Sequence, residues 1–264
     1  MVHGTHNALD EHLDRLYQGA ATIGMDTGMS RAELTAALEQ TLSANSMHDG
    51  VHVRLMLTRD IKKTPSQDPR LTISGPNLVI IAEYKQADPA SKERGITLFT
   101  SSIRRGSPDY LDPRLNCHSK IHEVQALTQA LQAGADEALM LDIHGFVATC
   151  NATNFFIVKG SGVSTSTGQY CMNGITRSKV IAACQKHGKL CARIAIPFDE
   201  AMLSWTAGPR PEDGVWAPHW YHQVHRSRGF QPYRPKTEPF PSELKPLLAE
   251  SQPYYDQLLE LAIT

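Results

Sequence analysis

The 264-residue chain lacks the cysteine patterns that stabilise small secreted proteins or bind zinc. Its cysteines are odd in number, and no two of them form a Cys-x-x-Cys pair. The five are Cys117, Cys150, Cys171, Cys184 and Cys191. This usage predicts reduced thiols in a cytosolic type of compartment, with neither a disulfide framework nor a zinc site.

The chain also lacks a long apolar run and a strong charge of either sign. No stretch approaches the ~20 apolar residues that span a bilayer, and no signal-peptide pattern follows Met1. The net charge is -1 and the pI is about 6.9, so global electrostatics predict neither nucleic-acid nor membrane binding. We therefore expect a cytoplasmic protein, although a leader missing from this sequence would direct it to an organelle.

Residues 1–94 carry the patterns of a small α+β lobe. Asp10 is predicted to cap a first helix, and Ser30-Arg31-Ala32-Glu33 is a capping box before a second. The first helix would present Leu13, Leu16, Tyr17, Ala20 and Ile23, and the second Leu34, Leu38 and Leu42. Alternation over 51–57 predicts a half-buried strand, and the apolar run 77–82 is typical of a central strand.

Residues 95–264 read as a larger, strand-rich lobe. Strands are predicted near 95–100, 136–142, 145–149, 154–158, 163–166 and 189–197. One helix should follow Lys120, with Val124, Leu127 and Leu131 on its apolar face and Gly134 at its end. Another is expected over 177–187 and a last one over 242–261. The proline-rich segment 207–240 predicts a long irregular loop.

Five motifs follow one another in the second lobe. Lys120 opens a helix, and Gly-Ala-Asp-Glu-Ala-Leu begins at Gly134. A hairpin at Gly145-Phe146-Val147, a strand at 154–158 and a helix start at Gly174-Ile175-Thr176-Arg177 complete the order. This order resembles the class IV aminotransferases, which are pyridoxal-phosphate enzymes of the branched-chain and D-amino-acid aminotransferase type. The resemblance implies a two-lobe α/β (α+β) D-amino-acid aminotransferase-like fold, with pyridoxal 5'-phosphate as cofactor and a homodimer as the assembly.

The resemblance also implies roles for individual residues. Lys120 would carry the cofactor and move the substrate proton, whereas an arbitrary lysine is usually a solvated surface residue. Ile175 and Thr176 would hold the phosphate, since a helix N-terminus offers free N–H groups to an anion. Arg15, in His12-Leu13-Asp14-Arg15-Leu16, would grip the same phosphate, unless it pairs with Glu11 on the helix surface. Thr206 or Ser204 would be a further anchor after Asp199-Glu200-Ala201.

Three features depart from the family pattern. Thr149 stands where a glutamate usually pairs with the pyridine nitrogen of the cofactor. A hydroxyl supplies no negative charge there, so we expect a less protonated ring and slower proton transfer. The chain begins inside the family's first strand, so we expect either that the sequence is a fragment or that the small lobe lacks that edge strand. The segment 207–240 matches no part of the family pattern.

Two further groups of residues leave alternatives open. Arg104 and Arg105 either bind a substrate carboxylate or form a solvated strand end. His219, His222 and His225 are spaced by threes, but Pro218 and the absence of a paired carboxylate favour an aromatic loop, and we predict no metal site.

The function predicted from these residues is amino transfer between an amino acid and a 2-oxo acid. Branched-chain amino acids are the first expectation for the donor, whose identity and stereochemistry the sequence does not reveal. Two alternatives stay open. One is a truncated or non-catalytic member of the fold, and the other is a pyridoxal-phosphate lyase of the aminodeoxychorismate type.

Overall fold

A computed structural model describes residues 8–59, 61–85, 95–159, 162–187, 190–197, 214–217, 222–228 and 262–263. The chain divides into two compact units. Unit 1 comprises 1–86, 116–118 and 253–264, and unit 2 comprises 87–115 and 119–252. The division at 94/95 expected from the sequence stays a prediction.

The first helix of unit 1, α1, spans Leu9–Thr22 and begins after Ala8, whose φ of 53° is left-handed. The prediction that Asp10 caps this helix is wrong, because Asp10 lies inside the first turn. Its carboxylate there still interacts favourably with the positive end of the helix dipole. The predicted apolar face is largely confirmed, since Leu13, Leu16 and Ala20 are buried.

The second helix, α2, spans Arg31–Ala44, and its predicted capping box is confirmed. The Ser30 hydroxyl accepts from the Glu33 N–H, and the Glu33 carboxylate accepts from the Ser30 N–H at 2.8 Å. The predicted leucine stripe at positions 34, 38 and 42 is fully buried. It packs on Val51, Val53 and Leu55 of the neighbouring strand and forms the core of unit 1.

The sheet of unit 1 contains β1 (Val51–Thr58), β2 (Asn77–Tyr84) and β12 (Ala262–Ile263). A short 3-10 helix, Pro69–Leu71, lies between β1 and β2. β1 pairs antiparallel with β2 and parallel with β12, so that β2 is an edge strand of the described sheet. The predicted strand at 77–82 is present, and its central position stays a prediction. Leu78, Ile80 and Ala82 pack on the core, whereas Ile81 on the other face is exposed.

The described residues of unit 2 form a nine-stranded sheet. Its strands are β3 (Ile96–Thr100), β4 (Glu137–Leu141), β5 (Phe146–Cys150), β6 (Phe156–Lys159), β7 (Gly162–Thr165), β8 (Leu190–Arg193), β9 (Ile196–Pro197), β10 (Gly214–Ala217) and β11 (His222–Arg228). Their order is β8-β7-β6-β10-β11-β3-β4-β5-β9. β3 pairs in parallel with β4 and β11, and β7 with β8, while the other pairs are antiparallel.

Two predictions for this sheet need correction. The expected loop 207–240 contains β10 and β11, because extended segments between its prolines find partners in β6 and β3. The single strand expected over 189–197 is divided into β8 and β9, which lie at opposite ends of the strand order. Only residues 194 and 195 separate them, and three Cα steps span at most about 11 Å. The sheet must therefore curl until its two ends are close together.

Two helices accompany the described sheet of unit 2, α3 (Ile121–Gln132) and α4 (Ile175–Lys186). The predicted apolar face of α3 is wrong, because Val124 and Leu131 are 56% and 60% exposed. The helix instead buries Ala126 and Ala130 against β4, where small side chains permit a close approach. The predicted end is confirmed at Gly134, whose φ is 70°. The last predicted helix, over 242–261, lies outside the described residues.

Candidate active site

Lys120 occupies the N-cap position of α3, with φ -110° and ψ 23°. Its side chain is half-buried, and its backbone carbonyl accepts from the Val124 N–H at 3.0 Å. The expected transition from loop to helix at this lysine is therefore present. Its role as the cofactor amine stays a prediction at this point.

Directly after Lys120, the first turn of α3 is joined to a buried arginine. Arg105 is 8% exposed, and its Nη1 donates to Glu123 Oε1 at 2.5 Å and to His122 Nε2 at 2.9 Å. Its Nε donates to the Tyr170 carbonyl at 3.1 Å, and its backbone N–H donates to the Leu141 carbonyl. The guanidinium of Arg105 is thus engaged within unit 2.

Arg104 has a different environment from Arg105. Its side chain is exposed, and it forms no hydrogen bond or ion pair with the described part of the chain. The two adjacent arginines, which the sequence does not distinguish, are therefore separated by the fold into one buried and one accessible cation.

The contacts of His122 assign its protonation state. A guanidinium has only donors, so Nε2 must accept, and the ring proton then resides on Nδ1, which lies 3.0 Å from Glu123 Oε2. Burial is the main cause that lowers the pKa of His122 below its ordinary value. The charge of Glu123 acts in the opposite direction, while Arg105 and Lys120 lower this pKa further. His122 is therefore a neutral member of the cluster near neutral pH.

The second predicted element, 174–177, forms the N-terminus of α4. Gly174 is the N-cap, with φ -58° and ψ 145°, and no side chain of the described residues caps this end. The first turn contains no acidic residue. A Cβ at Gly174 would lie 2.7 Å from Asn154 Oδ1, so a larger residue would have to displace this side chain, which is bonded to the Met172 carbonyl. The uncapped N–H groups at the positive end of a helix dipole fit a phosphate dianion.

Two side chains, the half-buried Asn154 and the buried Arg177, hold the loop that leads to this turn. Asn154 Nδ2 donates to the Met172 carbonyl at 3.0 Å. Arg177, which is 2% exposed, donates from Nη1 to Asn173 Oδ1 at 2.9 Å and from Nη2 to the Ser166 carbonyl at 2.5 Å. Sequence reasoning did not assign these anchoring roles, because no local pattern indicates contacts across a loop.

Thr149 is buried in β5, and its hydroxyl donates to the Thr153 carbonyl at 2.7 Å. Because the Thr149 hydroxyl proton is engaged in this hydrogen bond, the Thr149 oxygen can act only as an acceptor toward another group. Glu137 is buried nearby and accepts from the Thr153 hydroxyl at 3.0 Å. Burial, together with the charge of Glu137, raises the pKa of the Cys150 thiol well above its usual value. Cys150 is therefore a protonated core residue and not a nucleophile.

The remaining predicted residues lie elsewhere. Arg15 is half-buried on α1 in unit 1, and its Nη2 lies 3.4 Å from His12 Nδ1. Thr206 and Ser204 lie outside the described residues. His222 and His225 lie in the extended strand β11 and not on a helix, and His219 is outside the described part. Among the described residues, no cluster of three metal-ligating side chains occurs.

The family model for amino-transferase class IV matches residues 2–204. The chain belongs to the class IV aminotransferase family. The fold class predicted from the sequence is thereby confirmed. A second family model, for a sulfotransferase domain, matches residues 178–261 and overlaps the end of the first match.

Relatives of this aminotransferase-family chain include branched-chain-amino-acid aminotransferase-like protein 1 of Arabidopsis thaliana. It is 36% identical over 207 residues, which cover 77% of this chain and 37% of the relative. A putative branched-chain-amino-acid aminotransferase of Methanocaldococcus jannaschii is 35% identical over 181 residues, 68% of this chain and 61% of the relative. The chain thus spans less than two thirds of the length of these relatives.

Solved structures share the fold. An aminotransferase from Brucella abortus bound to the cofactor PLP superposes with a TM-score of 0.75 at 18% identity, covering 95% of this chain and 85% of that one. A putative 4-amino-4-deoxychorismate lyase of Legionella pneumophila gives a TM-score of 0.72 at 16% identity, with 92% and 84% covered. No helix among the described residues is long and apolar enough to cross a bilayer.

Proposed function

We propose that this chain is a pyridoxal-phosphate-dependent aminotransferase that moves an amino group between an amino acid and a 2-oxo acid. The observation that carries the proposal is the placement of Lys120 at the start of α3, in the same compact unit as the uncapped N-terminus of α4. A half-buried lysine and an anion-binding turn are the two elements that a phosphate-bearing aldehyde requires.

The residues present fit pyridoxal phosphate. Lys120 would supply the amine, and the N–H groups of Ile175 and Thr176, with the Thr176 hydroxyl, would hold the phosphate. Arg15 and Thr206 are proposed as further phosphate anchors, and Thr149 as the neighbour of the pyridine nitrogen. When bound, the cofactor supplies the electron sink that makes the substrate Cα proton acidic.

The chain's own residues would then bind the substrate and move its proton. The Lys120 amine takes the proton from the substrate Cα and returns one during the second half of the exchange. Arg104, the accessible member of the arginine pair, is proposed to hold the substrate carboxylate. The buried Arg105, which was predicted for the same task, already has partners inside unit 2.

Branched-chain amino acids are the proposed donors, because relatives in several organisms carry that name. A cytoplasmic homodimer, with lobes at 1–94 and 95–264, is proposed on the family resemblance and on the absence of paired cysteines among the described ones. Sedimentation at micromolar concentrations tests the dimer, and a monomer would contradict it.

The test is reconstitution with pyridoxal phosphate followed by a panel of amino donors with 2-oxoglutarate as acceptor. A visible absorption band that is absent in Lys120→Ala and retained in Lys63→Ala, an exposed lysine of unit 1, supports the proposal. Equal spectra for both variants would refute it. Release of pyruvate without any 2-oxo acid acceptor would indicate the lyase instead, and a chain that stays colourless would indicate a non-catalytic member of the fold.

A further inference from the structure

Arg105 connects the two halves of the candidate site. Through Nη1 it holds the first turn of α3, where His122 and Glu123 follow Lys120 by two and three positions. Through Nε it holds the Tyr170 carbonyl, in the loop that ends at the 174–177 turn. Its own backbone N–H is fixed to the end of β4 through Leu141. One buried residue therefore links the helix that begins after Lys120, the loop that ends at the 174–177 turn and the central sheet.

This geometry requires a guanidinium. The three N–H donors that Arg105 uses lie in the plane of the guanidinium, two of them directed at α3 and one at the Tyr170 carbonyl. A lysine ammonium on a flexible chain cannot reach the helix and the loop in the same way. The side chain of Arg105 is nearly buried, and so is that of Glu123, with exposed fractions of 10% and 13%. The charges compensate each other, since the cation faces one carboxylate and a neutral imidazole. A buried cation with a carboxylate partner and further hydrogen bonds is fixed in position, because any displacement leaves charge unpaired.

We propose that Arg105 is a positioning residue, which fixes the Lys120 amine at the distance from the 174–177 turn that a phosphate-anchored aldehyde requires. The inference rests on the proposed function and assigns to the second arginine a role other than substrate binding. It predicts that, without Arg105, a phosphate group on an aldehyde no longer speeds its reaction with Lys120. The reactivity of lysine amines toward an aldehyde without phosphate should not change.

The experiment measures where a carbonyl probe attaches. Protein is incubated with pyridoxal phosphate or with pyridoxal, reduced with borohydride, and digested for mass spectrometry. The lysine amine adds to the aldehyde carbon with loss of one water, and borohydride supplies the hydride that makes the link permanent. The ratio of labelling at Lys120 to labelling at the exposed Lys63 is measured for each probe. The ratio with pyridoxal phosphate divided by that with pyridoxal is the phosphate advantage.

We expect Arg105→Gln to lower the phosphate advantage by roughly tenfold or more, because small misplacements of reacting groups have large effects. The ratio with pyridoxal should stay unchanged, and Arg105→Lys should recover part of the loss. The matched control is Arg114→Gln. Arg114 is an exposed arginine that also lies between β3 and α3, and it pairs with Asp112 of its own turn. It should match the parent protein.

An undiminished phosphate advantage in Arg105→Gln would overturn the inference, and so would an equal loss with both probes, which indicates general loosening. If Arg105→Gln does not fold, Glu123→Gln is tested in its place, and it should show the same selective loss. A parent protein without any phosphate advantage at Lys120 would refute the proposed function itself, so the two failures are distinguishable.

Discussion

Arg177→Met tests whether a buried guanidinium holds the loop that ends in the anion-binding turn. The substitution preserves length and apolar volume while it removes the guanidinium, including its hydrogen bonds to Asn173 and to the Ser166 carbonyl. A hydrogen bond to a charged group contributes about 1.5–3 kcal/mol, and an orphaned buried acceptor costs about 1–3 kcal/mol.

The two partners respond differently to this loss. Asn173 is exposed and can turn its amide oxygen to water, whereas Ser166 is buried, so its carbonyl loses its partner without compensation. We therefore expect the free energy of unfolding of unit 2 to fall by about 2–4 kcal/mol, below the simple sum of two charged hydrogen bonds.

The assay is urea denaturation followed by far-ultraviolet circular dichroism, with the slope of the transition compared between variants. Arg193→Met removes an exposed arginine of β8 and is the matched control, expected to lie within about 0.5 kcal/mol of the parent. If the free energy of unfolding of Arg177→Met also lies within about 0.5 kcal/mol of that of the parent, the guanidinium does not hold the loop and the reasoning is refuted.

Four more predictions concern the same unit. Burial lowers the pKa of His122, so between the folded pKa and about pH 6.5 the unfolded chain binds more protons than the folded chain. The contribution of His122 to the free energy of unfolding is therefore complete above about pH 6.5 and decreases as the pH falls toward the folded pKa. The pH dependence of the free energy of unfolding should be flatter in His122→Gln, and identical curves would contradict this. Thr149→Val should lose only about 0.5–1.5 kcal/mol in denaturation, because the Thr153 carbonyl keeps the Cys150 N–H as a donor. Thr149→Glu should raise kcat in a donor assay if the missing charge slows proton transfer, and a folded variant with unchanged kcat would count against that hypothesis. Gly174→Ala places a Cβ 2.7 Å from Asn154 Oδ1 and should weaken pyridoxal-phosphate binding in a spectrophotometric titration, whereas Gly75→Ala, with nothing within 4 Å, should not.

Elements whose signals are local were predictable from the sequence. The capping box at Ser30 is satisfied by atoms three residues apart, and the helix end at Gly134 follows from the conformational freedom of one residue. The strands from β3 to β7 were found for the same reason, since period and turn residues define them without knowledge of their partners.

The errors arise where a distant neighbour decides the outcome. The larger aliphatic residues of α3 suggested that their face of the helix would be buried. The alanine face is buried instead, because β4 comes so close to the helix that only small side chains fit between them. The segment around β10 and β11 has no regular pattern of its own and becomes extended because β6 and β3 offer free backbone groups.

The candidate site shows the same division. Lys120 and the 174–177 turn were found because their motifs are short and their order is typical of the family. The partners of Arg105 are 17, 18 and 65 positions away, and the loop anchor of Arg177 is 11 positions away. No periodicity encodes such contacts, so the difference between the buried and the accessible arginine required the fold.

The two-residue link between β8 and β9 has a consequence for the durability of unit 2. The link joins the first and last strands of the nine-strand order of the described sheet over a short distance, so neither strand can separate from the sheet without straining the other. A flexible insertion between Arg193 and Ile196 would release both strand ends and expose backbone groups that can recruit strands from other molecules. Linker grafting or circular permutation at this point should therefore promote aggregation, whereas the same insertion in the exposed segment 64–67 of unit 1 should be tolerated.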